Sequence, residues 1–412
     1  MSSSEKIRVL RIINRFNIGG PTYNAAYLTK YLDPEIFETK LVGGAKDESE
    51  ASSEYIIENL GIETTIVPEM KREISKLDFL AYKKIKAIIL DFKPHIIHTH
   101  ASKAGTLGRL AGINNHVPII LHTFHGHVFH SYFGSLKTQL YKEIERWLAK
   151  RSTRIIAISP QQKLEIGLEH KICAEDKIEV IPLGFDLSRF QVDRDSKRID
   201  FRAKYGLGPA DVAIVIVGRL VPVKNHSMFI RAAKNICDSG LNNVRFFIVG
   251  DGESKHQIQK EAKEIDLNFV ELGAPSQESP LRFTSWIKDV DWVYAGSDIV
   301  CLTSLNEGTP VSLIEAQSAG KPIVSTKVGG IHDIVVENES AYLCEKNDVV
   351  SFEKHLLKLI DNRELRAKMG QFGEANVIEM FSFKRLVNDI EGLYKRLLDE
   401  KNIKLYTDSN KI

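Results

Sequence analysis

Residues 306–316 read NEGTPVSLIEA and set two carboxylates, Glu307 and Glu315, on either side of a Gly308-Thr309-Pro310 turn. Proline at 310 suits the first position of a helix, where its missing N–H costs nothing. The free N–H groups of that first turn can face a phosphate. Carboxylates repel phosphate, so both acids are better suited to accept hydrogen bonds from hydroxyls. A ligand with phosphates in its middle and hydroxyls on both sides is a nucleotide sugar. From this stretch alone, a loop-to-helix junction with a solvated acid on each side fits equally well.

Arg219 and Lys224 add two cations after the apolar run Val212–Val217. Cations at a strand's carboxyl end suit a diphosphate, Arg through bidentate contacts and Lys as a mobile charge; surface ion pairs are the plain alternative. Gly250-Asp251-Gly252 after the next strand is either a loop beside the nucleotide or a tight turn with an Asx hydrogen bond. Gly19-Gly20-Pro21, after the run Ile7–Ile13, allows close backbone approach to a ligand or a tight turn. It lacks the G-x-G-x-x-G spacing, which argues against an NAD oxidoreductase.

Eight of the 13 histidines fall between His95 and His130. No acid or cysteine stands among them, so a zinc site is disfavoured and no metal is expected. His125, after a buried strand, is read as a hydrogen-bond donor to a sugar. Asp289-Val-Asp291 looks like the D-x-D of metal-dependent sugar transferases, but it precedes a helical pattern and is read as a helix cap. Lys71, Arg72, Lys76, Lys83, Lys84 and Lys86 crowd one predicted helix with Phe79, Leu80 and Tyr82. That helix is either a solvated face or a peripheral contact for an anionic membrane or lipid diphosphate.

Those side chains need a scaffold. At 412 residues the chain exceeds one ordinary core, since domains average roughly 150 residues. Hydrophobic (43%) and charged (27%) fractions are those of a globular protein, and a net charge of +2 argues against a dedicated nucleic-acid binder. Four cysteines without C-x-x-C spacing read as reduced thiols, and no run of about 18 apolar residues or signal peptide appears. A cytoplasmic protein, peripheral at the inner membrane face if the basic helix docks there, is expected.

Apolar strand runs alternate with helical patterns throughout, which argues for parallel sheets covered on both faces. The polar stretch from about Asp186 to Arg202 reads as a linker between two α/β domains. Amphipathic helices close the chain, before a polar tail.

Taken together, the Gly19-Gly20-Pro21 loop, Thr123-Phe124-His125-Gly126, Pro182-Leu183-Gly184-Phe185-Asp186, Gly218-Arg219-Leu220 with Lys224, Gly250-Asp251-Gly252 and Glu307 to Glu315 resemble the retaining glycosyltransferases of family 4. The resemblance implies a GT-B fold: two Rossmann-like doubly wound domains facing a cleft, the C-terminal helix crossing back to the first. The expected parts are residues 1–187 on the acceptor side, 188–380 for the donor, a returning helix at 381–401 and a frayed tail at 402–412.

In similar enzymes the residues matching Gly19, Gly20, Arg219 and Lys224 hold the donor diphosphate, with Gly250, Gly308, Thr309 and Pro310 also on the donor side. Glu307 is then expected on the transferred sugar, Glu315 on the ribose and His125 near the reacting centre. The implied chemistry is metal-free transfer with retention, from a UDP-sugar to a glycan or lipid-linked acceptor of bacterial surface polysaccharide. Two departures stand out. GAPSQESP at 273–280 looks inserted before Phe283-Thr-Ser-Trp286, which resembles a base-contacting loop, and Leu183 replaces a common Asn. The rivals are a nucleotide-sugar 2-epimerase of the same fold and a non-catalytic nucleotide-sugar binder.

Overall fold

The computed structural model describes residues 6–16, 20–45, 54–71, 75–125, 135–271 and 279–403; Gly19, Gly126, the expected insertion up to residue 278 and the tail from 404 lie outside them. The chain divides into two compact units, Met1–Phe185 with Phe381–Ile412, and Asp186–Met380.

The first unit is built on a parallel sheet of β1 (Ile7–Arg15), β2 (Phe37–Gly44), β3 (Thr64–Ile66), β4 (Ile96–His100), β5 (Ile119–Thr123), β6 (Arg154–Ala157) and β7 (Ile178–Val180). Their order is 3-2-1-4-5-6-7. Strand β4 sits beside β1, so the winding reverses between those two strands, and their carboxyl ends open the crevice where such sheets bind ligands. The last helix, Phe383–Glu400, places Leu386, Ile390, Leu393 and Leu397 at i, i+4, i+7 and i+11. That stripe packs on Val9, Leu28, Ile96 and Leu121, so the chain's end completes the first unit's core. Its return is pinned by two backbone bonds, Phe185 N–H to Phe381 O at 2.8 Å and Phe383 N–H to Phe185 O at 3.0 Å.

The second unit repeats the plan with β8 (Val212–Val217), β9 (Val244–Val249), β10 (Phe269–Glu271), β11 (Leu281–Ser285), β12 (Ile299–Leu302), β13 (Ile323–Thr326) and β14 (Ala341–Cys344), in the order 10-11-9-8-12-13-14. Every residue of β8, β12 and β13 is buried, as a sheet covered on both faces requires. Here the winding reverses between β8 and β12.

Two expectations fail. The stretch 186–202 is not a linker: Arg194–Lys204 is a helix, and Asp186 onward folds with the second unit. Phe201 is wholly buried against Gly296, where a Cβ would stand 2.2 Å from its ring. Arg198 and Arg202 converge on Asp298 at 2.7 and 3.2 Å, so the polarity that looked like solvated linker is spent on internal ion pairs. Phe283-Thr-Ser-Trp286 is not a loop either, since its first three residues form the end of β11; Trp286 follows, 62% exposed.

Candidate functional site

In the second unit, the loops after β8 and β12 meet at the point where the winding reverses. Lys224 Nζ lies 2.5 Å from Glu307 Oε1, and Ser304 Oγ donates to the same oxygen at 2.5 Å. Both charges are mostly covered, at 19% and 11% side-chain exposure, whereas Arg219 is 68% exposed. Arg219 pairs with Glu253 at 3.3 Å, an exposed pair of little strength, whereas Lys224 is held by a covered one. The loops are tied further by one backbone bond, Leu305 N–H to Val223 O at 2.8 Å, and one side-chain bond, the Thr303 hydroxyl to Lys224 O at 3.0 Å.

Glycines permit this convergence. A Cβ on Gly250, at φ +144°, would stand 1.9 Å from Gly218 O, so no other residue lets the β8 and β9 loops approach so closely. Asp251 accepts from Gly252 N–H and Ser285 O–H, both at 2.8 Å; the backbone bond goes to the next residue and not two residues on, so it is not the expected Asx bond. Those bonds hold its carboxyl below the usual range. Behind Glu307 and Gly308, Gly329 and Gly330 leave room for the carbonyl oxygens, and Gly330 N–H donates to Glu307 O at 3.1 Å.

The helix after Glu307 spans Val311–Ser318, with Pro310 extended at its N-cap and not at the first helical position. Glu315 pairs with Tyr294, whose hydroxyl lies 3.3 Å from Oε2. Burial pushes the Glu315 carboxyl up to about 7, against the pull of Tyr294 and Arg189. Asp291 is committed to Arg189 and, at 3.0 Å, to Lys197. Asp289 stands at the N-cap of Val290–Gly296 but its side chain makes no capping bond, so only the position of the expected cap is observed.

The first unit offers a different arrangement at its own reversal point. Gly20 begins the helix Gly20–Tyr31 after β1. Strands β4 and β5 deliver His98, His100, Thr123 and, just beyond, His125. His100 Nδ1 lies 2.8 Å from His125 Nε2, and the His98 and His100 rings stack at 4.3 Å. Burial pulls His125 down to about 3 and, with the Arg11 charge nearby, holds His98 and His100 well below the ordinary histidine range. All three are uncharged imidazoles at neutral pH.

The basic patch shrinks. Lys83, Lys84 and Lys86 lie on the helix Leu77–Phe92, Lys71 and Lys76 precede it, and Arg72 is outside the described residues. Lys84 is paired with Glu69 at 2.7 Å, while Phe79 and Leu80 are exposed. Among the described residues no helix is long and apolar enough to cross a membrane.

Ser304, Tyr294, Gly329 and Gly330 escape sequence reasoning. The glycine pair after a strand was a usable signal; Ser304 and Tyr294 gave none.

Comparison with known proteins gives a consistent result. The model of Glycosyltransferase Family 4 matches residues 18–189, and that of Glycosyl transferases group 1 matches residues 197–376. The UDP-Gal:alpha-D-GlcNAc-diphosphoundecaprenol alpha-1,3-galactosyltransferase of Escherichia coli is 31% identical over 84% of this chain and 87% of its own length. The capsular polysaccharide biosynthesis glycosyltransferase CapM of Staphylococcus aureus is 28% identical over 81% of this chain and 85% of its own. Among solved structures, Anabaena HepE in complex with UDP superposes with a TM-score of 0.77 at 17% identity, over 95% of this chain and 100% of HepE.

Proposed function

From the premise that the chain belongs to the family 4, group 1 glycosyltransferases, we propose that it moves a sugar from a UDP-activated donor to a lipid-linked glycan in bacterial surface polysaccharide synthesis. That it is a glycosyltransferase follows from the family; donor, acceptor, stereochemistry and residue roles are the proposal. The observation that carries it is the covered Lys224–Glu307 pair where the second sheet's winding reverses, with the exposed Arg219 on the same loop after β8.

A diphosphate arriving there competes with Glu307 for the Lys224 ammonium and recruits Arg219 from the surface. As the sugar–phosphate bond breaks, charge grows on the leaving diphosphate, and two placed cations stabilise it more in the transition state than before. Glu307, released from Lys224, accepts from a sugar hydroxyl, and the Gly308-Thr309-Pro310 backbone supports the phosphate. Glu315 accepts from the ribose. Gly19, Gly20 and Gly250 allow close backbone approach, and His125 donates to the sugar.

The transfer proceeds with retention and needs no metal. Support comes from Asp291, the inner acid of the D-x-D sequence, whose oxygens are taken by Arg189 and Lys197. Lys83, Lys86, Phe79 and Leu80 are proposed to touch the membrane that carries the acceptor. The E. coli relative is named for galactose transfer to a GlcNAc-diphosphoundecaprenol, which directs the choice of assay.

The test is incubation of purified protein with UDP-galactose, UDP-glucose or UDP-N-acetylglucosamine and a lipid-diphosphate-linked N-acetylglucosamine, with and without EDTA. An α-linked product that forms equally with EDTA is expected. Loss of activity with EDTA, a β-linkage, or conversion of donor without acceptor overturns the corresponding part.

A further inference from the structure

Just past the carboxyl end of β12, one carboxylate oxygen takes two donors of unlike charge. Glu307 Oε1 lies 2.5 Å from the Lys224 ammonium and 2.5 Å from the Ser304 hydroxyl. A carboxylate paired with an ammonium only accepts, so the single Ser304 proton lies on the line to Oε1 and the direction of both bonds is set. Glu307 Oε2 takes no hydrogen bond among the described residues and keeps some exposure to solvent. One oxygen is therefore held twice, and the other is left for a ligand.

The two donors differ in how firmly they are placed. Lys224 reaches Glu307 on a flexible four-carbon stem. Ser304 is wholly buried, and its hydroxyl stands one rotatable bond from the backbone. That backbone is itself anchored: the Ser304 carbonyl accepts from the Thr326 hydroxyl of β13 at 2.7 Å, and the neighbouring Leu305 N–H donates to Val223 O at 2.8 Å. They differ in charge as well. An ammonium exchanges a carboxylate for an arriving phosphate, whereas a neutral, buried hydroxyl has no such inducement to leave.

We propose that Ser304 is a positioning residue, whose hydroxyl keeps Glu307 Oε1 in place after the donor diphosphate has drawn Lys224 away, so that Oε2 stays turned to the hydroxyl of the sugar being transferred. The inference rests on the reading of Lys224 as a diphosphate contact and of Glu307 as a sugar contact. It divides the work of the pair: Lys224 moves between carboxylate and phosphate, and Ser304 stops Glu307 from following it.

A double-mutant cycle in the full-length protein tests this, with transfer from the UDP-sugar and titration of UDP alone as separate readouts. Ser304→Ala is expected to lower kcat about tenfold, the worth of one hydrogen bond to a charged group. UDP lacks the transferred sugar, so it is expected to bind Ser304→Ala as tightly as wild type, which also shows that the loops around Lys224 are intact. In the Glu307→Ala background, Ser304→Ala is expected to cost nothing further, because its effect runs through Glu307. A matching loss of UDP affinity makes Ser304 a structural support of the loop and overturns the proposal, as do additive losses of rate in the double variant. If Glu307→Ala is slow and Ser304→Ala is not, the proposal alone falls. If Glu307→Ala transfers at the wild-type rate, the sugar-contact reading falls and the proposal with it.

Discussion

The two units carry the same winding, yet they furnish their reversal points with opposite chemistry. In the second, the loops after β8 and β12 bring together charge, Lys224 on Glu307, and the loop after β8 also carries the exposed Arg219. In the first, strands β4 and β5 bring together uncharged rings beside a buried arginine of β1. A diphosphate leaving group needs cations, and a sugar needs directed hydrogen bonds at no electrostatic cost. Under the proposed function one architecture would serve both, because the loops and strand ends, not the sheet, hold the chemistry.

The contrast extends to pH. His125, at about 3 in the folded state, and the other buried histidines bind fewer protons folded than unfolded once pH drops below about 6.5. Their contribution to stability is present above that value and is lost on acidification, by at most about 1.4 kcal/mol per pH unit for each ring. Glu315 runs the other way: with its pKa raised from 4.5 to about 7, its contribution is present below 4.5 and is lost as pH rises through 7. Denaturant titrations from pH 4 to pH 8 are expected to show a shallower acid loss in His125→Gln and a gain above pH 7 in Glu315→Gln. Unchanged slopes in both would break the comparison.

Next in size, Arg219→Ala is expected to lower kcat on the order of a hundredfold with the fold intact, the usual cost of losing one group that stabilises developing charge. A change confined to donor KM would instead make Arg219 a ground-state contact. The third test concerns the ribose. Donor affinity is expected to fall several-fold as pH drops from 8 to 6, because a protonated Glu315 accepts hydrogen bonds poorly, and Glu315→Gln is expected to be weak and pH-independent. Isothermal titration with UDP measures it; a retained pH dependence in the variant assigns the effect elsewhere. The smallest effect is at the membrane. Lys83→Glu with Lys86→Glu is expected to reduce sedimentation with anionic vesicles, and equal sedimentation removes that helix as the contact.

How legible this was in the sequence differs between the units too. Lys224 and Glu307 lie beside strand ends that periodicity finds, so their convergence follows from the βα alternation. Strands β7, β11 and β14 are only three to five residues long and carry little periodicity, and Arg282 interrupts β11. The 186–202 stretch misled because Arg198 and Arg202 look solvated until Asp298, about a hundred residues on, is brought to them. In the first unit the histidines were visible as a cluster, but their order depends on Tyr394, 296 residues from His98. Arg11 was the overlooked signal: a charge inside an apolar strand needs a partner, and here the partners are hydroxyls.

The central claim is that the second unit's reversal point stabilises the departing diphosphate through Lys224. Single-turnover transfer by Lys224→Ala at saturating UDP-sugar, with circular dichroism as the check on folding, tests it most directly. The account predicts a rate on the order of a hundredfold below wild type with an unchanged spectrum. A folded variant that transfers at the wild-type rate contradicts it.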